Sequence, residues 1–411
     1  MTTRHTTRTL VNASVGMFLL GLCLFSAPVW ATDGHQLVGL GALQIGTGGA
    51  GVASAKDSTW VLLNPASIVD LERRFDFSYE VFAPYRYLEP EGPLLVPMAN
   101  RGAGKMSDDS MFFIPAMGAI FPWGDDAVGV GLIAVNGMGV DYRHSRTLIP
   151  RIFGENFDRR TKYGVVKLGL AYAHDFGDGW SAGATFTLDY ERFKTDMLTL
   201  KFWETSGDDE VSDGFGAGLT LGIQKKWDKL SLAAAYTTPQ WMEKFEKYPD
   251  LLPLPMNLPQ MFQAGLAYKF TPALEWVLDY KFIDWNGVKQ IGKAPITGGF
   301  GWHDQHVLKT GLTWQVSPKW TLRGGTSLAK SPIREDSVFA NALFPAIIES
   351  HATFGVSYAI SKNTDVHFTY EHAFGKTMTD NGKGDIFSVV GKGTKIHLEE
   401  NTFTAQYSYK F

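Results

Sequence analysis

The last eleven residues read "NTFTAQYSYKF" (401–411). Every second position gives Phe411, Tyr409, Tyr407, Ala405 and Phe403; between them fall Lys410, Ser408, Gln406, Thr404 and Thr402. Such period-two alternation describes a strand with one apolar and one polar face. Chain ends commonly fray into polar tails, so an aromatic row here asks what solvent its apolar face meets.

The same alternation fills the chain upstream: "FDFSYEVFAPYRY" (75–87), "GWSAGATFTLDY" (179–190), "LEWVLDYKF" (274–282) and "TDVHFTYEHAF" (364–374). About fourteen such segments begin near residues 74, 111, 126, 162, 179, 214, 229, 260, 273, 306, 319, 351, 363 and 401. Many exceed ten residues, longer than the ~5–6 of soluble strands and suited to a tilted bilayer crossing of ~9–11. Tight turns at 122–126, 176–179, 226–229, 270–273, 316–319 and 360–363 alternate with long connections at 88–110, 143–161, 240–259, 284–304, 329–349 and 375–400. That short–long rhythm predicts an all-β, fourteen-stranded antiparallel transmembrane barrel, closed because hydrocarbon offers no hydrogen-bond partner to a sheet edge. Phe411 would end the last strand, paired to the first near Arg74. With Tyr409 and Tyr407 it resembles the signal read by the bacterial outer-membrane assembly machinery.

Residues 1–31 read as a secretory signal peptide: Arg4 and Arg8, the apolar "VGMFLLGLCLF" (15–25), then "VWA" before a cut after Ala31. An uncleaved anchor would need a longer apolar run, and Leu22 is too bulky for a lipoprotein site at Cys23. Loss of this segment takes the net charge from −4 to −6 and removes Cys23, the single cysteine. A mildly acidic chain without basic clusters argues against nucleic acid as a partner, and no disulfide can form. Mean hydropathy is −0.08, too low for a bundle of membrane helices.

Residues 32–72, "TDGHQLVGLGALQIGTGGAGVASAKDSTWVLLNPASIVDLE", break the alternation. About forty residues cannot bury a core alone, and a fourteen-stranded lumen is too wide for strand side chains to fill. The stretch from Gly39 to Ile68, with its glycines, Asp57 and Asn64-Pro65-Ala66, resembles the N-terminal hatch of the long-chain fatty acid and aromatic hydrocarbon transporter (FadL/TodX) family. The resemblance implies a hatch at 32–72 plugging a barrel at 73–411, with the Asn-Pro-Ala motif inside the plug. It also implies a third strand that kinks inward and opens the wall.

Two outer connections are greasy: Leu251, Leu252, Leu254, Met256 and Leu258 in one, Phe339, Leu343, Phe344, Ile347 and Ile348 in the other. Exposed, they would capture a hydrophobic ligand; packed on each other, they would form a lid. On the third strand, Ile133 and Val135 have inward parity and precede Asn136, Gly137 and Gly139, where clustered glycine marks a bulge or simply a weakened strand. Parity also turns Lys281, Lys309 and Arg323 inward. They would bind a ligand carboxylate or neutralise the lumen acids Asp279 and Glu371.

Other motifs carry less. "GTGGAG" (46–51) has dinucleotide spacing but follows no buried strand. "HDQH" (303–306) offers only two metal-type ligands. "GDDEVSD" (207–213) reads as a solvated loop, or as a bridge to lipopolysaccharide through divalent cations. No catalytic set stands out, and no cofactor or metal is expected.

The expectation is a monomeric outer-membrane channel for passive uptake of hydrophobic molecules, long-chain fatty acids first and aromatic hydrocarbons second. A general porin and a lipid-modifying barrel enzyme are the competing classes. Its surroundings would be outer-membrane lipid, lipopolysaccharide and, during biogenesis, the assembly machinery.

Overall fold

The structure, a computed structural model, describes residues 33–91, 105–142, 160–195 and 210–411. The expected signal peptide lies outside them, as do most of the 88–110 and 143–161 connections. Fourteen long strands follow one another: β1 Arg74–Glu89, β2 Phe112–Trp123, β3 Asp126–Asp141, β4 Arg160–Gly177, β5 Trp180–Thr195, β6 Ser212–Lys226, β7 Leu230–Thr237. Then come β8 Met261–Thr271, β9 Leu274–Ile283, β10 Gln305–Gln315, β11 Trp320–Ala329, β12 Ser350–Ala359, β13 Thr364–Thr379 and β14 Lys395–Lys410. Neighbours in sequence pair antiparallel throughout, and β14 returns to β1 in unbroken register from Arg74↔Lys410 to Glu89↔Lys395. The sheet is a closed barrel. Beyond its last strand, the Phe411 N–H donates to Arg73 O at 3.0 Å.

All six expected tight turns are present. At 177–180 both Asp178 (φ 50°) and Gly179 (φ 79°) are left-handed, as the twist of a two-residue hairpin demands. The long connections lie at the opposite end. The last strand starts at Lys395, six residues before the alternation suggested. In "KIHLEE" (395–400) the alternation is reversed, with Ile396 and Leu398 buried and Lys395, His397 and Glu399 on the outer face, and a register shift between Ala373 and Lys376 blurs the same region of β13. These strands continue beyond the apolar belt, where a greasy face is no longer required.

Exposure answers the opening question. Leu188, Phe215, Leu221, Leu312, Phe354, Phe368, Phe403, Tyr407, Tyr409 and Phe411 stand exposed, while Thr187, Asp189, Thr220, Thr404, Gln406 and Ser408 are buried. A water-soluble protein sorts its residues the other way. The outer face is built for hydrocarbon, and the polar residues look inward at the hatch.

Residues 33–72 lie against those inward residues. They hold only single-turn helices at Gly41–Ile45 and Trp60–Leu63 and a 3-10 helix at Pro65–Asp70. Pieces this short cannot satisfy their own backbone, so barrel side chains do. Gln406 accepts from Ala42 N at 2.7 Å, Asp279 from Gly51 N and Val52 N at 2.8 and 2.9 Å, and Asp76 from Ser58 N at 2.8 Å. Thr369 and Thr185 donate to Ala42 O and Val61 O at 2.8 and 2.5 Å. The anchors come from β1, β5, β9, β13 and β14, so the segment crosses the lumen.

Candidate functional site

The Asn64-Pro65-Ala66 corner is rigid for the reason its residues suggest. Proline fixes its own φ and keeps Asn64 extended; Asn64 Oδ1 accepts from Ala66 N at 3.1 Å and Nδ2 donates to Val52 O at 2.8 Å. The corner sits on Gly183 of β5 and Gly222 of β6, which are register partners. A Cβ on Gly183 would lie 2.7 Å from the Pro65 carbonyl carbon, and one on Gly222 would overlap Asn64 Oδ1. Gly311 and Gly325, partners on β10 and β11, form a second seat under Thr47 and Gly48. The "GTGGAG" run is therefore packing, as its context suggested. Gly222→Val is expected to unseat the corner and raise hydrogen exchange across residues 60–70 about tenfold or more, the cost of overpacking being ~1–3 kcal/mol. Gly324→Ala, whose added Cβ meets only Thr353 O at 3.8 Å, should leave exchange unchanged.

Asp57 is fully buried beneath the same segment, accepting from Thr59 N at 2.8 Å and Gln406 Nε2 at 2.7 Å. Burial, with the Asp76 charge added, lifts its pKa to about 6 against the pull of Arg74.

The lysines have a partner that parity could not name. Lys309 Nζ lies 2.7 Å and Lys281 Nζ 3.2 Å from Asp33 Oδ2. Lys309 also donates to Val38 O at 2.6 Å, and Lys281 to Gln36 Oε1 at 2.8 Å. Burial works against ionising Asp33, but Lys309 and then Lys281 hold its pKa below the ordinary value. The strand acid Asp279 instead serves the hatch backbone. Arg323 does not join the pair: its Nη1 donates to Ser357 Oγ at 2.5 Å, and its stem packs by Gly46.

Asp33 begins a tight turn with reciprocal bonds, Asp33 N to Gln36 O at 3.0 Å and Gln36 N to Asp33 O at 3.2 Å. Gly34 has φ 68°, and a Cβ there would strike the Trp285 ring. His35, next in the turn, lies 4.6 Å from Trp285, 5.5 Å from Tyr163 and 5.8 Å from Trp302, centroid to centroid. Burial pushes its pKa down to about 3, so the ring is neutral.

The same turn meets the third strand. β2 and β3 pair only from Trp123↔Asp126 to Ala116↔Ile133; beyond that β3 parts from β2, and Val135 bulges between Ala134 and Asn136 on the β4 side. The freed edge is taken by the hatch. Leu37 N donates to Val135 O at 3.3 Å, Gly137 N to His35 O at 2.9 Å, and Gln36 bridges Asn136. Gly139, at φ 137°, lies farther along, where Arg86 Nη1 donates to its carbonyl at 3.2 Å and Arg86 Nη2 pairs with Asp108 at 2.6 Å. Ile133 and Val135 are buried with Phe112, Ile114 and Met138. The glycine-rich stretch is thus a bulge and a parting of the wall.

The greasy connections are packed rather than displayed. Leu252, Met256, Leu258, Leu343, Phe344, Ile347 and Ile348 are buried in one cluster with Trp285, Ile291, Phe300 and Trp302; Leu251, Leu254 and Phe339 are half-buried. Phe344 meets Phe300 edge-on at 4.8 Å and stacks with Phe193 at 6.4 Å. Apolar side chains in water cluster before they capture anything, and these pack on one another as a lid, one of the two arrangements open to them in the sequence. Below it a cavity of about 90 Å³ is bounded by Leu37, Val135, Asn136, Met261, Lys281 and Lys309. Benzene enters an engineered cavity of ~150 Å³, so this cavity is too small to hold even a single aromatic ring.

The remaining motifs fall as solvated groups. His306 Nδ1 lies 2.6 Å from Tyr280 OH, and among the described residues no three His, Cys, Asp or Glu stand close enough for a metal. Of the acidic loop, Glu210 pairs with Lys247 and Asp213 with Arg192; residues 207–209 lie outside the described set.

In sequence, residues 252–411 match the family described as outer membrane protein transport protein (OMPP1/FadL/TodX). Among curated proteins none matches. In structure the chain is similar to the P. putida toluene transporter TodX: 16% identity, 91% of this chain and 99% of that one, TM-score 0.71. It is also similar to the Ralstonia pickettii toluene transporter TbuX (17%, 91% and 99%, 0.65) and to a Pseudomonas aeruginosa FadL homologue (14%, 92% and 100%, 0.67). At these identities the likeness is one of fold. The chain is FadL/TodX-like, in sequence over its C-terminal part and in fold over nine-tenths of its length.

Proposed function

We propose that this protein is an outer-membrane channel that admits hydrophobic small molecules passively and releases them sideways through the parted third strand. The observation that carries the reading is the β3 edge beyond Ile133, left by β2 and closed by the chain's own residues 35–37. A permanent wall would pair strand to strand. Here the seal is a segment held by a few hydrogen bonds and by the two ion pairs of Asp33, which a ligand can replace.

Three stages follow. The 248–259 and 337–349 loops loosen over an arriving apolar molecule; the molecule enters the lumen beside Lys281 and Lys309; withdrawal of the 33–37 turn uncovers the β3 edge. A sixteen-carbon chain gains on the order of 12 kcal/mol gross on burial, at ~0.8 kcal/mol per methylene. One pocket capturing all of it would release slowly, so successive partial sites suit transport. Long-chain fatty acids and small aromatics both satisfy the apolar lid; the toluene transporters of similar fold favour the second class, the lysines an acid. A barrel filled by its own hatch suits neither a general porin nor an enzyme needing an open cleft.

Cells expressing the protein should take up labelled oleate or toluene faster than cells without it, while purified protein in planar bilayers conducts little salt. Equal uptake in both strains, or a large open-pore conductance, would overturn the channel reading.

A further inference from the structure

The turn at 33–36 places two chemically different side chains in two different receptors. The Asp33 carboxylate lies between two buried ammonium groups. Two residues on, a flat ring sits among Trp285, Tyr163 and Trp302. Trp285 and Trp302 meet edge-on at 5.1 Å, and each is held by its indole N–H: Trp285 to Gln305 Oε1 at 2.7 Å, Trp302 to Asn341 Oδ1 at 2.7 Å. Tyr163 OH donates to Glu191 at 3.0 Å. The walls are braced from outside, so they hold their shape without the occupant.

The occupant fits poorly. Asn136 Nδ2 donates to His35 Nδ1 at 2.9 Å, which leaves the ring proton on Nε2. That atom is fully buried and has no hydrogen-bond partner among the described residues. A buried polar group without a partner costs free energy, whereas an all-carbon ring would fill the same aromatic space at no such cost.

We propose, building on the channel reading, that the Asp33–Gln36 turn is a built-in stand-in and that the site takes a planar aromatic carboxylate. The ligand's ring replaces His35 among Tyr163, Trp285 and Trp302, and its carboxylate replaces Asp33 between Lys281 and Lys309. Charge decides against the neutral alternative: a hydrocarbon that displaced the turn would take from two buried ammonium groups the carboxylate they pair with directly. Shape decides against the aliphatic one, because a flat slot between indoles rewards a ring over a flexible chain. Since the turn also closes the β3 edge, the ligand that fits both receptors is the one that opens the exit.

The test uses the full-length protein in detergent with 3-phenylpropionate, propylbenzene and oleate as probes, read by tryptophan fluorescence and by hydrogen exchange at residues 33–40. Phenylpropionate is expected to bind at least about tenfold more tightly than propylbenzene and to raise exchange in the turn, as replacement of a buried ion pair requires. Asp33→Asn, which removes the internal competitor, should tighten phenylpropionate by about tenfold, a gain that misfolding cannot mimic. Trp302→Leu should weaken phenylpropionate by a similar factor and oleate by clearly less, so that the ratio of the two affinities falls. Equal affinity for phenylpropionate and propylbenzene, or no gain in Asp33→Asn, overturns the proposal. So does oleate binding as tightly as phenylpropionate in both the unaltered protein and Trp302→Leu. Selective binding without uptake by cells would sink the channel and leave the site standing; uptake of neutral hydrocarbons without selectivity would do the reverse.

Discussion

Oxidised Gln36→Cys/Asn136→Cys protein is expected to lose uptake by about tenfold or more, and to regain it when reduced, if movement of the turn gates passage. The two positions are antiparallel bridge partners. Opposed residues of that kind have Cα atoms ~4.5–5.5 Å apart, inside the range a disulfide spans. Cys23 is the only native cysteine and precedes the described residues, so no mature thiol competes if the signal peptide is removed. The bond would tie the turn to the β3 edge and hold the exit shut without touching the lid. Uptake of labelled substrate with and without reductant measures it; transport through the oxidised form at the unaltered rate would show that release takes another route.

Lys309→Met is expected to open the pore. Asp33 is almost wholly buried and would keep only Lys281 at 3.2 Å, while Val38 O would lose its donor. Removing one member of a buried ion pair costs ~3–5 kcal/mol, because the other is left uncompensated. The barrel wall does not depend on that pair, so the strain falls on the turn. Salt conductance in planar bilayers should rise well above that of the unaltered protein, and Asp33→Asn in the same chain should bring it part of the way back, as coupled neighbours do. Unchanged conductance in Lys309→Met would mean that the pair does not hold the plug.

Much of the wall was legible because hydrocarbon imposes a simple rule. Phe403, Tyr407 and Tyr409 announce an outward face at every second residue, and "FGDG" at 176–179 announces its turn by residue type. The inward parity of Lys281 and Lys309 followed from the same period. Their partner did not, since no local pattern links Asp33 to residues about 250 positions away. The greasy loops showed their chemistry but not their state: Leu252 and Phe344 look alike in sequence whether they greet a ligand or each other. The paired seats, Gly183 beside Gly222 and Gly311 beside Gly325, carry a signal that hydrophobic periodicity alone does not show. Glycines at inward parity on consecutive strands mark where something else fills the space.

The hatch binds both lips of the seam that shuts the cylinder: Ser58 N is held by Asp76 of β1, and Ala42 N by Gln406 of β14. Those two strands are the farthest apart along the chain, and bringing them together costs the loop-closure entropy of nearly the entire sheet. A segment that grips both offsets part of that cost at the moment of zipping. The seam contacts at 42 and 58 and the proposed gate at 33–37 lie on one short segment, so a substitution that loosens that segment as a whole is expected to be felt first as a shortage of finished barrels.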